Sequence, residues 1–326
     1  VEIIASSNNK LEVNGNLLID SPAGVLDMDD SSPATDGQLY LYGNWTNNRG
    51  NVAFEEGNGI VQFVGSTPQI INAVTPEGTE TFYSVILDND FDTAVSNDLR
   101  TTNLTVNATR NVSIDSNGYI LVDKKLSNNG NMTIENNGQL VQVDEFDTND
   151  GTYTGTRFQV KRTAQVKHLD YVYWCSPTDN FPVSSLPSTN RYEWDTLYPN
   201  ANGTLGYWVN PTTTTMTKWK GYIARASNGA SSAQAMTVTF NDRPHNGQFT
   251  FPINRGTYSG PDYDADPGNA TNADTTEFDD NWNLVGNPYP SAIDAEEFLL
   301  LNQTKIQGTV WVWKHGFDLA ATGSPY

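Results

Sequence analysis

Cysteine is nearly missing from this chain, and positive charge is scarce. Its one Cys, Cys175, has no partner within the 326 residues, so an internal disulfide framework is excluded and the fold must rest on packing. Lys and Arg total 18 against 38 Asp and Glu, a formal net charge of −20. Binding nucleic acid or an anionic membrane needs clustered bases to neutralise phosphate, so no nucleic-acid partner is expected. The chain has no run of 18 apolar residues, and no membrane span is expected. Histidine occurs only as His168, His245 and His315, and none lies in a zinc-protease or nucleophile-elbow pattern. No phosphate-cradling glycine motif occurs, so no nucleotide cofactor is expected and none is required. Val1 stands where a Met would begin a nascent chain, and Ala320–Tyr326 reads as a small-residue loop; a fragment of a longer polypeptide is expected.

What the first half does have is a repeating unit. Apolar-x-apolar triplets recur at Leu39–Leu41, Val85–Leu87, Leu104–Val106, Val112–Ile114, Ile120–Val122, Met132–Ile134 and beyond. Each is too short for a helix and has the period of two that lines one face of a strand. Asn-Gly pairs such as Asn14-Gly15, Asn117-Gly118, Asn129-Gly130 and Asn137-Gly138 punctuate them, residues that tolerate the left-handed backbone of tight turns. Triplets starting at Leu104, Val112 and Ile120, then at Met132 and Leu140, are eight residues apart within each group. Evenly spaced short strands fit a meander sandwich or a solenoid with about three strands per coil, and recurring Asn, which stacks on itself between coils, favours the solenoid.

The composition changes near Asp144–Gly155. Seven of the eight Trp lie after it, and residues 1–150 hold 22 acids and 6 bases, against 16 and 12 in residues 151–326. Two domains are expected: a parallel β-helix-like repeat region over 1–150, and an antiparallel β-sandwich over 151–326 that is incomplete at its C-terminal end. Strand-like alternation continues in Tyr171–Trp174, Gly206–Val209, Lys218–Ala226, Ala235–Phe240, Gln248–Ile253, Trp282–Val285 and Thr309–Trp313. One short helix is expected after Asp294, with Glu297 three residues on as a capping box, the apolar run Phe298–Leu301 and Asn302 as the stop. The fold class is therefore all-β with a single helix.

Candidate sites are sparse. Asp262, Asp264 and Asp266 alternate ahead of Gly268, a spacing that lets one loop turn several carboxylates toward a hard cation, and Asp88, Asp90 and Asp92 repeat it. Calcium is the ion this predicts; Pro267 and Ala273 exclude an EF-hand. Trp194 and Trp208, in Tyr- and Pro-containing polar segments, are candidates for stacking on sugar rings, while Trp311 and Trp313 share one strand face and read as core. A polysaccharide lyase or hydrolase would need paired carboxylates beside an Arg or Lys, and the few bases of the repeat region do not cluster.

The segment Trp282-Asn283-Leu284-Val285-Gly286-Asn287-Pro288-Tyr289-Pro290-Ser291-Ala292-Ile293-Asp294 resembles a motif near the ends of large surface proteins exported by the type IX secretion system of Bacteroidota. Met216–Ala226 and Gly308–His315 are similar to neighbouring segments of those proteins, although Trp219 stands where Gly is usual. The resemblance spans roughly residues 155–320. It implies a non-catalytic, secreted or cell-surface segment of structural or adhesive type, as in gliding or surface attachment, lying before a C-terminal sorting domain. The implied partners are the secretion translocon, cell-surface attachment components and possible extracellular polysaccharide; a carbohydrate-binding or carbohydrate-active β-helix protein is the alternative. It also implies O-glycosylation at Asp followed by Ser or Thr and then a small or aliphatic residue or Thr, a pattern resembled by Asp92-Thr93-Ala94, Asp195-Thr196-Leu197 and Asp274-Thr275-Thr276, with Thr93, Thr196 and Thr275 as the expected sites.

Overall fold

The computed structural model describes residues 10–20, 24–29, 36–73, 81–144, 157–167, 169–200, 203–226, 233–258, 281–306 and 308–312. Over the first half the chain winds coil upon coil. The first coil is β1 (Lys10–Val13), β2 (Leu17–Ile19) and β3 (Leu26–Asp27), and the second is β4 (Gln38–Leu41), β5 (Trp45–Asn47) and β6 (Phe54–Glu55). Next come β7 (Ile60–Gly65) with β8 (Gln69–Ala73), β9 (Thr81–Asn89) with β10 (Asp92–Val95), and β11 (Asp98–Val106) with β12 (Asn111–Ile114). The series closes with β13 (Tyr119–Asn128), β14 (Asn131–Ile134), β15 (Gln139–Gln142) and β16 (Phe158–Val166). One parallel sheet runs β1-β4-β7-β9-β11-β13-β15 and a second runs β2-β5-β8-β10-β12-β14-β16, so the repeat is a parallel solenoid.

The expected three strands per coil are present in the first two coils, whereas in the later coils two hydrogen-bonded strands appear, one of them bent. In β11, Leu99, Thr101, Leu104 and Val106 are buried while the adjacent Thr102 and Asn103 both turn outward, and the register to β13 shifts between Thr101 and Asn103. Each long strand thus supplies two inward faces, which is why the triplets are more frequent than the strands. Inside, Trp45 and Phe54 of the second coil and Phe82 of β9 pack edge-on or tilted with ring centroids 4.9–5.2 Å apart. Such pairs add about 0.5–1.5 kcal/mol each beyond the burial of their area.

Asparagine stacks as expected from its recurrence. Asn131 donates to Asn111 Oδ1 at 2.9 Å, and Asn111 donates to Asp92 Oδ1 at 3.1 Å, one rung per coil. At a buried corner Asn89 donates to Gln69 Oε1 at 2.6 Å, and Gln69 donates to the Leu41 and Gly43 carbonyls, so these two buried amides are paired. The glycine of the Asn-Gly pairs has a different reason from the one its turn chemistry suggests. Gly118 does not take a left-handed φ; a Cβ there would stand 2.2 Å from the Val95 carbonyl oxygen of the previous coil. Glycine is present because the coils approach closely, whereas Asn137, with φ 66°, takes the left-handed turn itself.

The hydrogen-bonded wall does not end at residue 150. β16 pairs in parallel with β14, and β23 (Gln234–Asn241) then adds antiparallel on its other side. One buried apolar cluster runs from Ile19 to Phe240. Between them the chain forms β17 (Tyr171–Trp174), β18 (Arg191–Asp195), a small hairpin of β19 (Pro199–Asn200) and β20 (Gly203–Thr204), β21 (Tyr207–Val209) and β22 (Tyr222–Arg225). The antiparallel sheet β17-β22-β18-β21 packs through Trp174 and Phe181 on Phe240 of β23, ring centroids 6.4 and 4.5 Å away, giving the sandwich layer.

The expected helix forms as α1 (Ala295–Leu301). Asp294 caps it by accepting from the amides of Glu296 and Glu297, and it buries none of its residues. Gln248–Ile253, Trp282–Val285 and Thr309–Val312 are not strands. The second contributes a single isolated β-bridge, Val285 with Lys220, and no strand. The third has no strand beside it among the described residues, and Trp311 is 76% exposed instead of core. Alternation makes a strand only where an edge is free to pair. Among the described residues no helix is long and apolar enough to cross a membrane.

Candidate functional site

The last solenoid coil leaves the edge of β15 exposed, and the Trp282–Asp294 segment closes it. The Pro290 carbonyl accepts from the amide of Leu140, and Gln139 Oε1 accepts from the amide of Ala292. Two prolines fix the turn, and Asn287 ties it by accepting from the Tyr289 amide and donating to the Ser291 carbonyl. Arg162 of β16 lies largely inside the wall, and its guanidinium donates to the carbonyls of Lys161 at 2.8 Å and Pro290 at 3.0 Å. Burial with no carboxylate close by lowers its pKa from the ordinary value.

His245 holds the other side. Its Nδ1 is 2.9 Å from the Pro288 carbonyl, which can only accept, so Nδ1 carries a proton there. Its Nε2 lies 3.2 Å from Asp179 Oδ1, at ion-pair range although out of line for a hydrogen bond. Asp179 also meets Lys218 Nζ at 2.9 Å. His245 first and Lys218 second hold its carboxyl at about 2, well under the usual carboxylate value, against the opposing effect of burial. Nδ1 thus clamps the proline turn, while Nε2 faces the Asp179 carboxylate at ion-pair range. Cys175 is likewise packed away: burial raises its thiol to about 12, and a Cβ at Gly286 would stand 2.2 Å from its Cβ.

The outer face of the antiparallel sheet is different in kind. Directly opposed residues share a face, so the pairs Tyr171 with Arg225, Tyr173 and Tyr192 with Ile223, and Trp194 with Trp208 put five aromatic rings and Arg225 on one side. The opposite side carries Trp174, Glu193, Tyr222 and Ala224, all buried. The rings touch in sequence: Tyr171 to Tyr192 at 6.3 Å, Tyr173 to Trp208 at 6.3 Å, and Trp208 to Trp194 at 5.2 Å. All five are half-buried. Ile223 beneath them is 2% exposed yet stands outside the main apolar cluster, so the rings form a patch of their own.

Of the sugar-binding candidates, Trp194 and Trp208 thus lie together on this face. Trp194 is fixed by donating Nε1 to the Trp282 carbonyl at 2.8 Å, with Gly206 against its ring. Tyr171, Tyr173 and Tyr192 escaped sequence reasoning, although the alternating YVY and Tyr-x-Trp patterns carry their signal. At Asp88, Asp90 and Asp92, where calcium was expected, the structure places a cationic side chain. Arg110 Nε reaches Asp88 Oδ1 at 2.9 Å and its Nη1 pairs with Asp90, while Asp92 accepts from Asn111, so an arginine stands where the cation was expected. No group of three or more His, Cys, Asp or Glu among the described residues could hold a metal ion. Asp262, Asp264, Asp266, Thr275, His168, Trp313 and His315 lie outside the described residues.

The glycosylation expectation meets burial. Thr93 is 1% exposed in the inward register of β10. Thr196 is 5% exposed and its hydroxyl donates to the Trp282 carbonyl at 2.7 Å. Both hydroxyls are thus enclosed in the folded chain.

Residues 71–326 match the model of a domain of unknown function, DUF8693, and with well over half of its length covered the chain belongs to that family. The match runs unbroken through residue 150, joining the later solenoid coils and the end region in one family unit. No curated protein and no solved structure matches the chain.

Proposed function

We propose that this member of the DUF8693 family is a non-catalytic segment of a secreted cell-surface protein, structural or adhesive in role, with the solenoid as a stiff spacer and the end region as its contact surface. The observation that carries this reading is the ring patch of Tyr171, Tyr173, Tyr192, Trp194 and Trp208, grouped on the outward side of the terminal sheet and outside the core. Rings left half-exposed there forgo part of the stability that full burial would give, and aromatic rings are favoured where a surface must make contact. Export by the type IX route is the part of the reading that rests on the resemblance of Trp282–Asp294. A second reading, carbohydrate binding, is favoured by the same rings, because pyranose faces stack on Trp and Tyr.

Fractionation of the native host tests the location: recovery on the outer surface or in the medium is expected, and recovery from the cytoplasm would overturn it. Incubating the purified chain with polysaccharides and following chain length separates binding from catalysis, since depolymerisation would remove the non-catalytic assignment.

A further inference from the structure

The solenoid carries most of the negative charge, yet the segment that builds the ring patch does not. Residues 157–226 hold eight Lys and Arg (157, 161, 162, 167, 191, 218, 220, 225) and four Asp and Glu (170, 179, 193, 195), an excess of bases in a chain whose total is −20. Arg225 sits on the ring face directly opposite Tyr171, close enough for its charge to favour the ionised phenol, against the burial that raises the Tyr171 pKa. Its guanidinium makes no hydrogen bond or ion pair among the described residues, whereas Arg191 next to it donates to the Val183 carbonyl at 2.8 Å.

Beside Arg225 the sheet end opens into a hollow of about 600 Å³, lined by both arginines and by Ser184, Ser188 and Thr189. That volume is within the roughly 300–1,000 Å³ of small-ligand sites. No carboxylate residue lines it. Asp170, next to Tyr171 in the chain, accepts from the Lys167 amide at 2.7 Å.

Arg225 joins two features: it stands opposite Tyr171 on the ring face, and it lines the hydroxyl-bearing hollow at the sheet end, where its half-buried guanidinium meets no anion among the described residues. Rings recognise the apolar face of a sugar, hydroxyls its edge, and a guanidinium fork a planar or tetrahedral anion. Two arginines are too few to neutralise a nucleic-acid backbone, which needs many phosphate contacts. We infer that this face binds an acidic saccharide, a glycan bearing a carboxylate or sulfate, with Arg225 as the residue that selects the charged sugar. The inference rests on the carbohydrate reading of the ring face and adds the ligand's charge to it.

Isothermal titration calorimetry on the full chain would compare a galacturonate oligomer, a sulfated galactan oligomer and a neutral glucan oligomer, each at 50 and 300 mM salt. The expected result is binding of an acidic oligomer at least ten-fold tighter than the neutral one, weakening with salt; which acidic oligomer binds identifies carboxylate or sulfate as the anion. Arg225→Gln should lose that ten-fold preference, and Arg225→Lys should keep part of it, with circular dichroism confirming an unchanged fold. If the glutamine variant does not fold, the lysine variant and Ser188→Ala read the same hollow, and acidic affinity untouched in both would overturn the inference. Equal or tighter binding of the neutral glucan would overturn the charge selection while leaving the ring platform intact. No binding of any oligomer would overturn both, and cell fractionation would still decide the surface location separately.

Discussion

The solenoid and the end piece solve the same problem with opposite means. In the solenoid every coil presents the same apolar positions to the same neighbours, so Leu104 of one coil lies beside Val85 of the coil before and Leu126 of the coil after. Its polar groups repeat as well, one asparagine rung per coil. The end piece has no such averaging. It is fastened by single contacts of long sequence separation: Arg162 to Pro290, His245 to Pro288 and Asp179, Trp194 and Thr196 to Trp282. A repeat distributes its stability over many nearest-neighbour interfaces, while a clasp concentrates it in a few groups whose removal is felt at once.

The sharpest way to break that comparison is to remove a ring from the solenoid interior. Phe82 is wholly buried between Trp45 and Phe54, at 4.9 and 5.2 Å. Phe82→Ala should cost about 3–5 kcal/mol, because the cavity is walled by coils that cannot close without parting their own ladders. Urea unfolding followed by tryptophan fluorescence measures it, since Trp45 forms the cavity wall. A cost under 1 kcal/mol would mean that the coils slide and repack, and that the solenoid is not the rigid part.

Legibility from sequence divides along the same line. Periodicity made the solenoid readable, because each coil repeats its inward residues and its asparagine, and the helix after Asp294 was readable because its cap and stop are local. The bend inside β11 was not, since a doubled outward pair, Thr102 and Asn103, looks in sequence like a turn between two strands. The Asp88-x-Asp-x-Asp spacing suggested a cation because the sequence does not reveal that Arg110, one coil later, lies above it. The threonines at 93 and 196 looked accessible in polar surroundings, and only the register of β10 and the return of the chain at Trp282 bury them. Of the ring face, the two tryptophans were found by residue type. The three tyrosines depend on which strands become neighbours, and the order β17-β22-β18-β21 is not written in any local signal.

A smaller effect tests the clasp through pH. The Asp179 carboxyl is held at about 2, under the ordinary value near 3.9, by His245 and Lys218. A carboxyl that is more acidic in the folded chain contributes stability above its unfolded value, and that contribution disappears as pH falls from about 4 to about 2. The side chain is 28% exposed, so solvent screening reduces the contribution to about 1 kcal/mol. Asp179→Asn should therefore lower the unfolding free energy by about that amount at pH 6 and by much less at pH 2.5, with the difference between the two proteins closing through this window. Parallel curves for the two proteins across the whole range would show that the clasp draws nothing from this ion pair.

The smallest expected effect is at the helix, where the comparison predicts near silence. Asp294 accepts from the amides of Glu296 and Glu297, and losing a cap of this kind costs a helix about 0.5–2 kcal/mol. In most proteins that cost is passed to the whole fold, because the helix is coupled to the core through the residues it buries. Here α1 buries none, with Leu300 57% and Leu301 73% exposed. Asp294→Ala should then fray the helix and speed amide exchange at Glu296, Glu297 and Phe298, while the global unfolding midpoint moves by less than about 0.3 kcal/mol. Hydrogen exchange and urea titration on the same variant read the two quantities together. A global loss as large as the local one would mean that the helix is fastened to the end piece after all, and that the clasp extends past Asp294 to include it.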